Sequence, residues 1–289
     1  MKPLPKDTKP VARRHVASTP VVSAAARVLE ELPVRSPGGQ HPRSWTFYGR
    51  AGTGKTTLFG TFPGEKLLLD VKDVGDDSLD GLTDIKVMDV KTWDDLEVVY
   101  WWIKRNPDRY SAVGIDTMSQ LQQLAIQKIL EVKGKDPDRA GDWGVMTKRE
   151  WGDVASLMKT WIINFRDLPM EVVFIAQDRT FNTGEEDAAE GLDPEVGPGL
   201  SPSIAKCLNA AVHVIGNTFI RRRTVEVAVK NPQRGKPKTQ QVDRIEYCLR
   251  LGPNPIYITK ARKGKSITLP SLVVDPTYDK LIKIIEGEK

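Results

Sequence analysis

The sequence predicts an α/β fold: a mostly parallel sheet covered by helices and extended by antiparallel strands near the C-terminus. Three observations carry this expectation. Short apolar runs alternate with helical patterns between Ser44 and Gln177, as crossover units require. A glycine-rich turn separates the first run from the first helical pattern. Beyond Ala211, strand patterns follow one another at hairpin spacing until the last residues.

The elements read in order as follows. Trp45-Thr46-Phe47-Tyr48 is a strand ending at Gly49, and Lys55–Phe59 begins a helix that Pro63-Gly64 ends. Lys66–Val71 (KLLLDV) and Ile85–Val90 (IKVMDV) are apolar runs of strand length. Thr92 is an N-cap, with Asp94 and Asp95 in the first turn of a helix that Asn106-Pro107 closes. Ser111–Ile115 is a buried strand ending in Asp116, and helical patterns cover 118–132 and 147–167. Glu171–Ala176 (EVVFIA) is a strand ending in Gln177. Residues 178–203 read as one long acidic loop, a length that goes with function or disorder. A helix over Ser203–Ala211 precedes strands at Val212–Ile220, Thr224–Val229, Arg244–Leu251 and Pro255–Lys260, and Tyr278–Ile285 is a closing helix. The organisation is a basic, proline-rich, disordered tail over 1–42, a core over 43–275 and a C-terminal helix over 276–289.

Composition bounds the function. With 39% hydrophobic residues the chain can bury a sizeable core, and no apolar run reaches membrane-spanning length. The absence of a signal-peptide pattern points to the cytoplasm. Cys207 and Cys248 make no disulfide framework and are expected to be free buried thiols. His15, His41 and His213 share no ligand spacing with them, which argues against zinc. The net charge of +5 is segregated: 221–265 holds thirteen Lys/Arg against three Asp/Glu, while 41–220 is net acidic. A basic segment on an acidic body points to a polyanionic partner such as nucleic acid.

Gly49-Arg50-Ala51-Gly52-Thr53-Gly54-Lys55-Thr56 fits G-x-x-x-x-G-K-[ST]. Glycines let the backbone turn tightly so that several N–H groups face one anion, and the following helix adds its positive end. Lys55 supplies a point charge to the β- and γ-phosphates, and the Thr56 hydroxyl is a ligand for Mg²⁺. Gly49 to Thr57 are therefore the ATP-binding residues. Asp116 ends an apolar strand downstream, where the second Mg²⁺-holding carboxylate belongs. Its neighbour is Thr117 and not an acid, so the catalytic base must lie elsewhere, and no N-K-x-D guanine motif follows.

With these residues in place, the chain resembles the RecA-type P-loop ATPases, and specifically the phage RecA-like recombinases of the Sak group, phage AAA-type ATP-binding proteins. The matching segments are Tyr48–Leu58, Thr61-Phe62-Pro63, Leu67–Val71, Ile115-Asp116-Thr117, Phe174–Gln177 and Lys260–Gly264. The resemblance implies a RecA-like core, ATP and Mg²⁺ as cofactors, and a slow, DNA-dependent ATPase of phage-type recombination or single-strand annealing. It implies Gln177 as the γ-phosphate sensor and Lys260 and Arg262 as fingers reaching a neighbouring subunit's nucleotide. The protein would then be a homo-oligomer, ring or filament, in the host bacterial cytoplasm if phage-encoded. Its partners would be single-stranded DNA and a single-strand DNA-binding protein, with no membrane.

The chain departs from that pattern twice. The catalytic Glu expected after the second strand is absent; Lys72 stands in its register, leaving Asp73 or its rival Asp70 as the base. The loop over 178–203 is acidic and would repel phosphates, so Arg221, Arg222, Arg223, Arg234, Lys236 and Lys238 are the better DNA contacts. Lys133, Lys135, Arg139, Lys148 and Arg149 flank a second candidate DNA loop. Trp143 and Trp151 beside it could stack on bases but read rather as core or helix-face aromatics. The competing reading is a nucleotide-dependent assembly or regulatory ATPase with a protein partner and no DNA. A replicative helicase would need a further partner-binding domain.

Overall fold

A computed structural model of the chain describes residues 41–72, 76–135, 146–182, 184, 191, 193–229, 238–264 and 266–287. The chain divides into two units, residues 1–41 and 42–289. The expected tail lies outside the described residues except for His41 and Pro42.

Among the described residues, the second unit is built on a nine-stranded sheet. Its strands run β1 (Ser44–Tyr48), β2 (Lys66–Val71), β3 (Ile85–Val90), β4 (Ala112–Asp116), β5 (Glu171–Ala176), β8 (Val214–Val229), β9 (Lys238–Arg250), β10 (Lys260–Ala261) and β11 (Leu272–Val274). The order is β11-β9-β8-β1-β5-β4-β2-β3, with β10 paired to β8. From β3 through β8 every neighbouring pair is parallel; β9, β10 and β11 are antiparallel additions. This is the expected α/β core with a mostly parallel sheet and antiparallel additions. β5 separates β1 from β4, so the ends of the phosphate-loop strand, the Gln177 strand and the Asp116 strand lie in a row.

Both faces of the parallel part are covered, which is why its strands read as unbroken apolar runs. One face packs Leu67, Leu69, Val113, Ile115, Val172 and Phe174 against α2 (Trp93–Arg105), α3 (Met118–Val132), α4 (Lys148–Arg166) and α5 (Pro202–Ala211). The other packs Trp45, Phe47, Leu68, Val173 and Ile175 against α1 (Lys55–Gly60) and α6 (Tyr278–Glu286). The Thr92 N-cap forms as a capping box with Asp95, and Thr147 caps α4 with Glu150 in the same way. The closing helix is stapled to the first: Phe62 and Tyr278 rings lie 4.7 Å apart, and the Tyr278 N–H donates to Thr61 Oγ1 at 2.8 Å.

The C-terminal half corrects the sequence reading in four places. The strands expected at 212–220 and 224–229 are one strand, β8, and β9 begins at Lys238, well before Arg244. Beyond Ile220 and Tyr247 these strands pair only with each other. Both faces of such a ribbon meet water, so no alternation marks it and the arginine triplet resembled a break. Second, the 178–203 loop contains β6 (Asp178–Phe181) and β7 (Glu195–Pro198), an antiparallel pair of four-residue strands too short to show a period. Third, of the Pro255–Lys260 segment only Lys260 is in a strand, as the first residue of β10. Asn254 Oδ1 instead accepts from the Ile256 and Tyr257 N–H groups at 2.9 Å, an Asx turn that competes with a ladder. Fourth, β11 is a three-residue edge with no sequence signal.

Candidate functional site

The phosphate loop leaves β1 where the backbone is crowded on both sides. The Gly49 N–H donates to Ala176 O at the end of β5. A Cβ on Gly49 would sit 2.3 Å from Thr218 O and 2.6 Å from Thr218 Oγ1 on β8. Gly49→Ala therefore cannot fit unless β8 moves. Overpacking of this kind costs about 1–3 kcal/mol, and each kcal/mol lowers Tm by about 2–4 °C at this size. A thermal melt of Gly49→Ala should show that drop; an unchanged Tm would mean the strand relaxes freely. Gly54, with φ of 84°, caps α1 in the left-handed region that glycine enters without penalty.

Lys55 is 7% exposed and folds back over the loop, with its ammonium donating to Gly49 O at 2.9 Å and Arg50 O at 2.8 Å. Thr53 Oγ1 bonds Arg50 O at 2.8 Å and Thr218 Oγ1 at 2.7 Å, which ties the loop to β8. Thr56 Oγ1 donates to Asp116 Oδ2 at 2.6 Å, so the two expected magnesium ligands are in contact across 60 residues of sequence. Around this pair opens a cavity of about 680 Å³, within the usual range for a small-molecule site. Ala51 to Thr57, Asp116 and Gln177 all line it.

Leu58, Thr61 and Thr117 line it too, and five residues that the sequence reading did not single out complete it: Ser78, Tyr247, Asp275, Pro276 and Thr277. Tyr48 is level with Asn217, and Tyr247 pairs with Ile220, so the tyrosine projects past the tip of β1 over the loop. A Cβ on Gly54 would meet its ring at 3.3 Å. No local pattern marks Tyr247, because its place depends on β8 lying beside β1. Asp275 is drawn in by its N–H, which donates to Tyr247 O at 2.7 Å.

A second network braces the loop from below. Asn217 donates through Nδ2 to Tyr48 O at 3.2 Å and accepts at Oδ1 from Arg250 at 2.6 Å. The Arg250 guanidinium lies between the Phe219 and Tyr257 rings, 3.6 Å and 4.0 Å from their centroids. Burial pushes the Tyr48 hydroxyl well above the ordinary tyrosine value, so it stays a donor, bonding Val196 O on β7 and Ile258 O at 2.9 Å each.

Other expected residues are placed less directly. Asp70 is the register neighbour of Asp116 and 8% exposed, but it is not among the cavity-lining residues; Asp73 lies outside the described residues. Lys72 donates to Gln127 Oε1 at 2.9 Å. Lys260 and Arg262 lie by the start of β8, at the opposite end of the sheet from the loop, and bond the last carbonyls of α5 at Asn209 and Ala210. They do not enter their own chain's cavity. Burial and the neighbouring Arg262 hold the Lys260 ammonium below the ordinary lysine value.

The DNA contacts are rearranged. Arg221 and Arg223 share Glu246, at 2.7 Å and 3.8 Å, while Arg222 is exposed on the other face of the ribbon. Arg234 and Lys236 lie outside the described residues, and Lys238 opens β9. Lys133 pairs with Asp153 and Lys135 with Glu150, while Lys148 and Arg149 open α4. Arg139 and Trp143 lie outside the described residues. Trp151 is 40% exposed, a helix-face aromatic lying off the buried stripe of Glu150, Val154, Met158 and Trp161 on α4. Both cysteines are free, but Cys207 is only half-buried.

A protein-family model described as an AAA domain (AAA_24) matches residues 41–262. The chain belongs to the AAA_24 family. No curated protein matches the sequence. A KaiC-like protein from the hyperthermophilic archaeon Pyrococcus horikoshii is similar in structure at 10% identity, covering 82% of this chain and 92% of that one, with a TM-score of 0.38. Membership of the AAA_24 family points to a P-loop ATPase, with a nucleotide and usually Mg²⁺ as its ligands. The donor set of this AAA domain fits the ion. A hydroxyl and a carboxylate in contact are hard oxygen ligands, and Mg²⁺ takes one or two protein groups plus phosphate oxygens and water. Among the described residues no helix is long and apolar enough to cross a membrane.

Proposed function

We propose that this AAA-domain chain is an ATPase that binds single-stranded DNA and works in phage-type recombination or strand annealing, as its resemblance to the Sak-group recombinases implies. The observation that carries the reading is the seam between loop and ribbon. Thr53 of the phosphate loop is bonded to Thr218, and three residues further, at Arg221, β8 becomes the arginine-bearing ribbon. A change in the loop on nucleotide binding would thus reach the DNA contacts through one strand.

In this reading the triphosphate sits on the amides of Gly49 to Thr57, and its base lies against Tyr247. Thr56 and Asp116 would hold Mg²⁺, which supplies charge neutralisation at the β- and γ-phosphates. Lys55 would exchange its two carbonyl partners for phosphate oxygens. Gln177 would meet the γ-phosphate and relay its state to the β6–β7 pair, and Asp73 or Asp70 would orient the attacking water. Lys260 and Arg262 face away from their own cavity, which suits fingers that complete a neighbour's site in a homo-oligomer. Arg262→Ala should then lower turnover by about 10²-fold or more while nucleotide affinity holds, as removing a transition-state contact does. Loss of affinity at unchanged rate would argue against the finger.

The test is ATPase activity titrated with single- and double-stranded DNA across a salt series. Stimulation by single strands, weakening as salt rises, supports the reading, because phosphate contacts release counterions. One observation favours the assembly reading: Glu246 engages two of the three ribbon arginines while Ile220 and Ile245 are exposed on the other face. An oligomer that forms with ATP and ignores DNA would establish that alternative.

A further inference from the structure

Helix α2 carries two apolar stripes, and the core uses one of them. Trp93, Leu96, Val99, Tyr100 and Ile103 are buried. Trp101 and Trp102 point outward and are 47% and 44% exposed. The helix ends at Arg105, and a short turn through Asn106 to Arg109 leads to Tyr110, whose ring lies 6.1 Å from that of Trp102. Two exposed tryptophan rings and the half-buried Tyr110 ring thus lie together at the end of α2.

Cations are interleaved with these rings. Lys104 Nζ lies 5.1 Å from the Trp101 ring centroid, and the Arg109 guanidinium carbon 5.8 Å from that of Tyr110. Arg105 is exposed between them, and Asp108 is the one acid from residue 104 to 110. Protein interfaces also enrich tryptophan, tyrosine and arginine, but they deplete lysine. A single-stranded nucleic-acid platform combines rings for bases with cations for the phosphates between them. α2 runs back from the end of β3 to the start of β4, so the rings lie at the opposite end of the strands from the phosphate loop.

We infer that Trp101, Trp102 and Tyr110, with Lys104, Arg105 and Arg109, form a stacking surface for single-stranded nucleic acid that operates without ATP. This surface does not depend on the nucleotide site or on the ribbon contacts proposed above. It provides a constitutive hold on a strand whose second contact would be the nucleotide-coupled ribbon.

Fluorescence anisotropy of a labelled oligothymidylate, titrated with the full chain without nucleotide, tests this. Trp101→Ala/Trp102→Ala should weaken binding about five- to a hundredfold, the range for losing one stacked base. Lys104→Gln/Arg105→Gln/Arg109→Gln, which leaves the rings in place, should weaken it and flatten its salt dependence. Arg222→Gln in the ribbon, measured with a non-hydrolysable ATP analogue present, should lower the nucleotide-dependent part of the binding and so reads the proposed function separately. Unaltered affinity in both α2 variants, with far-UV circular dichroism showing them folded, overturns the inference. A change of oligomeric state in the tryptophan variant with no change in oligonucleotide affinity does so too, and assigns the rings to a protein partner. If the ribbon variant alone loses binding, the α2 surface fails and the proposed function stands. If the α2 variants alone lose it, the α2 surface stands, and the proposed function is decided by whether single strands still stimulate their ATPase activity.

Discussion

Lys55→Ala is expected to weaken ATP binding about ten- to a hundredfold and to cut turnover by a further 10²–10³. The first figure is the loss of a charge-assisted hydrogen bond to phosphate. The second is the loss of a donor whose contact strengthens as charge moves in the transition state. The lysine is built for this exchange. Its ammonium is held by Gly49 O and Arg50 O, two neutral acceptors that a phosphate displaces at little cost. Its burial means that alanine leaves a polar gap and not a flexible substitute. Isothermal titration with an ATP analogue and steady-state hydrolysis read the two effects separately. Intact turnover in Lys55→Ala would remove the phosphate-loop assignment.

Asp116→Asn should act on the metal and leave the fold intact. Asparagine keeps an oxygen in place to accept the Thr56 hydroxyl, so the 2.6 Å contact between β4 and α1 survives. What it loses is the negative charge that holds a divalent cation. Turnover should fall about 10²-fold or more, while affinity for ATP measured in EDTA stays near that of the unaltered chain. The diagnostic is the difference between affinities with and without Mg²⁺, which the substitution should largely abolish. An undiminished magnesium effect would place the ion elsewhere, with Asp70 as the nearest carboxylate by register.

The legible parts of the molecule were those whose physics is local. KLLLDV and EVVFIA are buried on both faces, so each strand shows as an apolar block whatever its neighbours are. The Thr92 cap needs only its own turn. The phosphate loop is a run of eight residues whose types are dictated by one anion. The rest depended on neighbours far away in sequence. Tyr247 reaches the cavity because β8 pairs with β1, and nothing around residue 247 encodes that pairing. The arginine triplet read as free cation, yet Glu246 faces two of the three once Arg221 and Glu246 are in register. Trp101 and Trp102 share one apolar run with Val99, Tyr100 and Ile103, and only the packing separates them from the buried stripe.

The central claim is that the main-chain amides between Gly49 and Thr57 hold a triphosphate. A crystal structure of the chain with a non-hydrolysable ATP analogue and Mg²⁺ tests it most directly. The account predicts phosphate oxygens within hydrogen-bond distance of those amides and of the Lys55 ammonium, the ion between Thr56 and Asp116, and the base against Tyr247. An analogue bound elsewhere, with Lys55 still donating to Gly49 and Arg50, would contradict it.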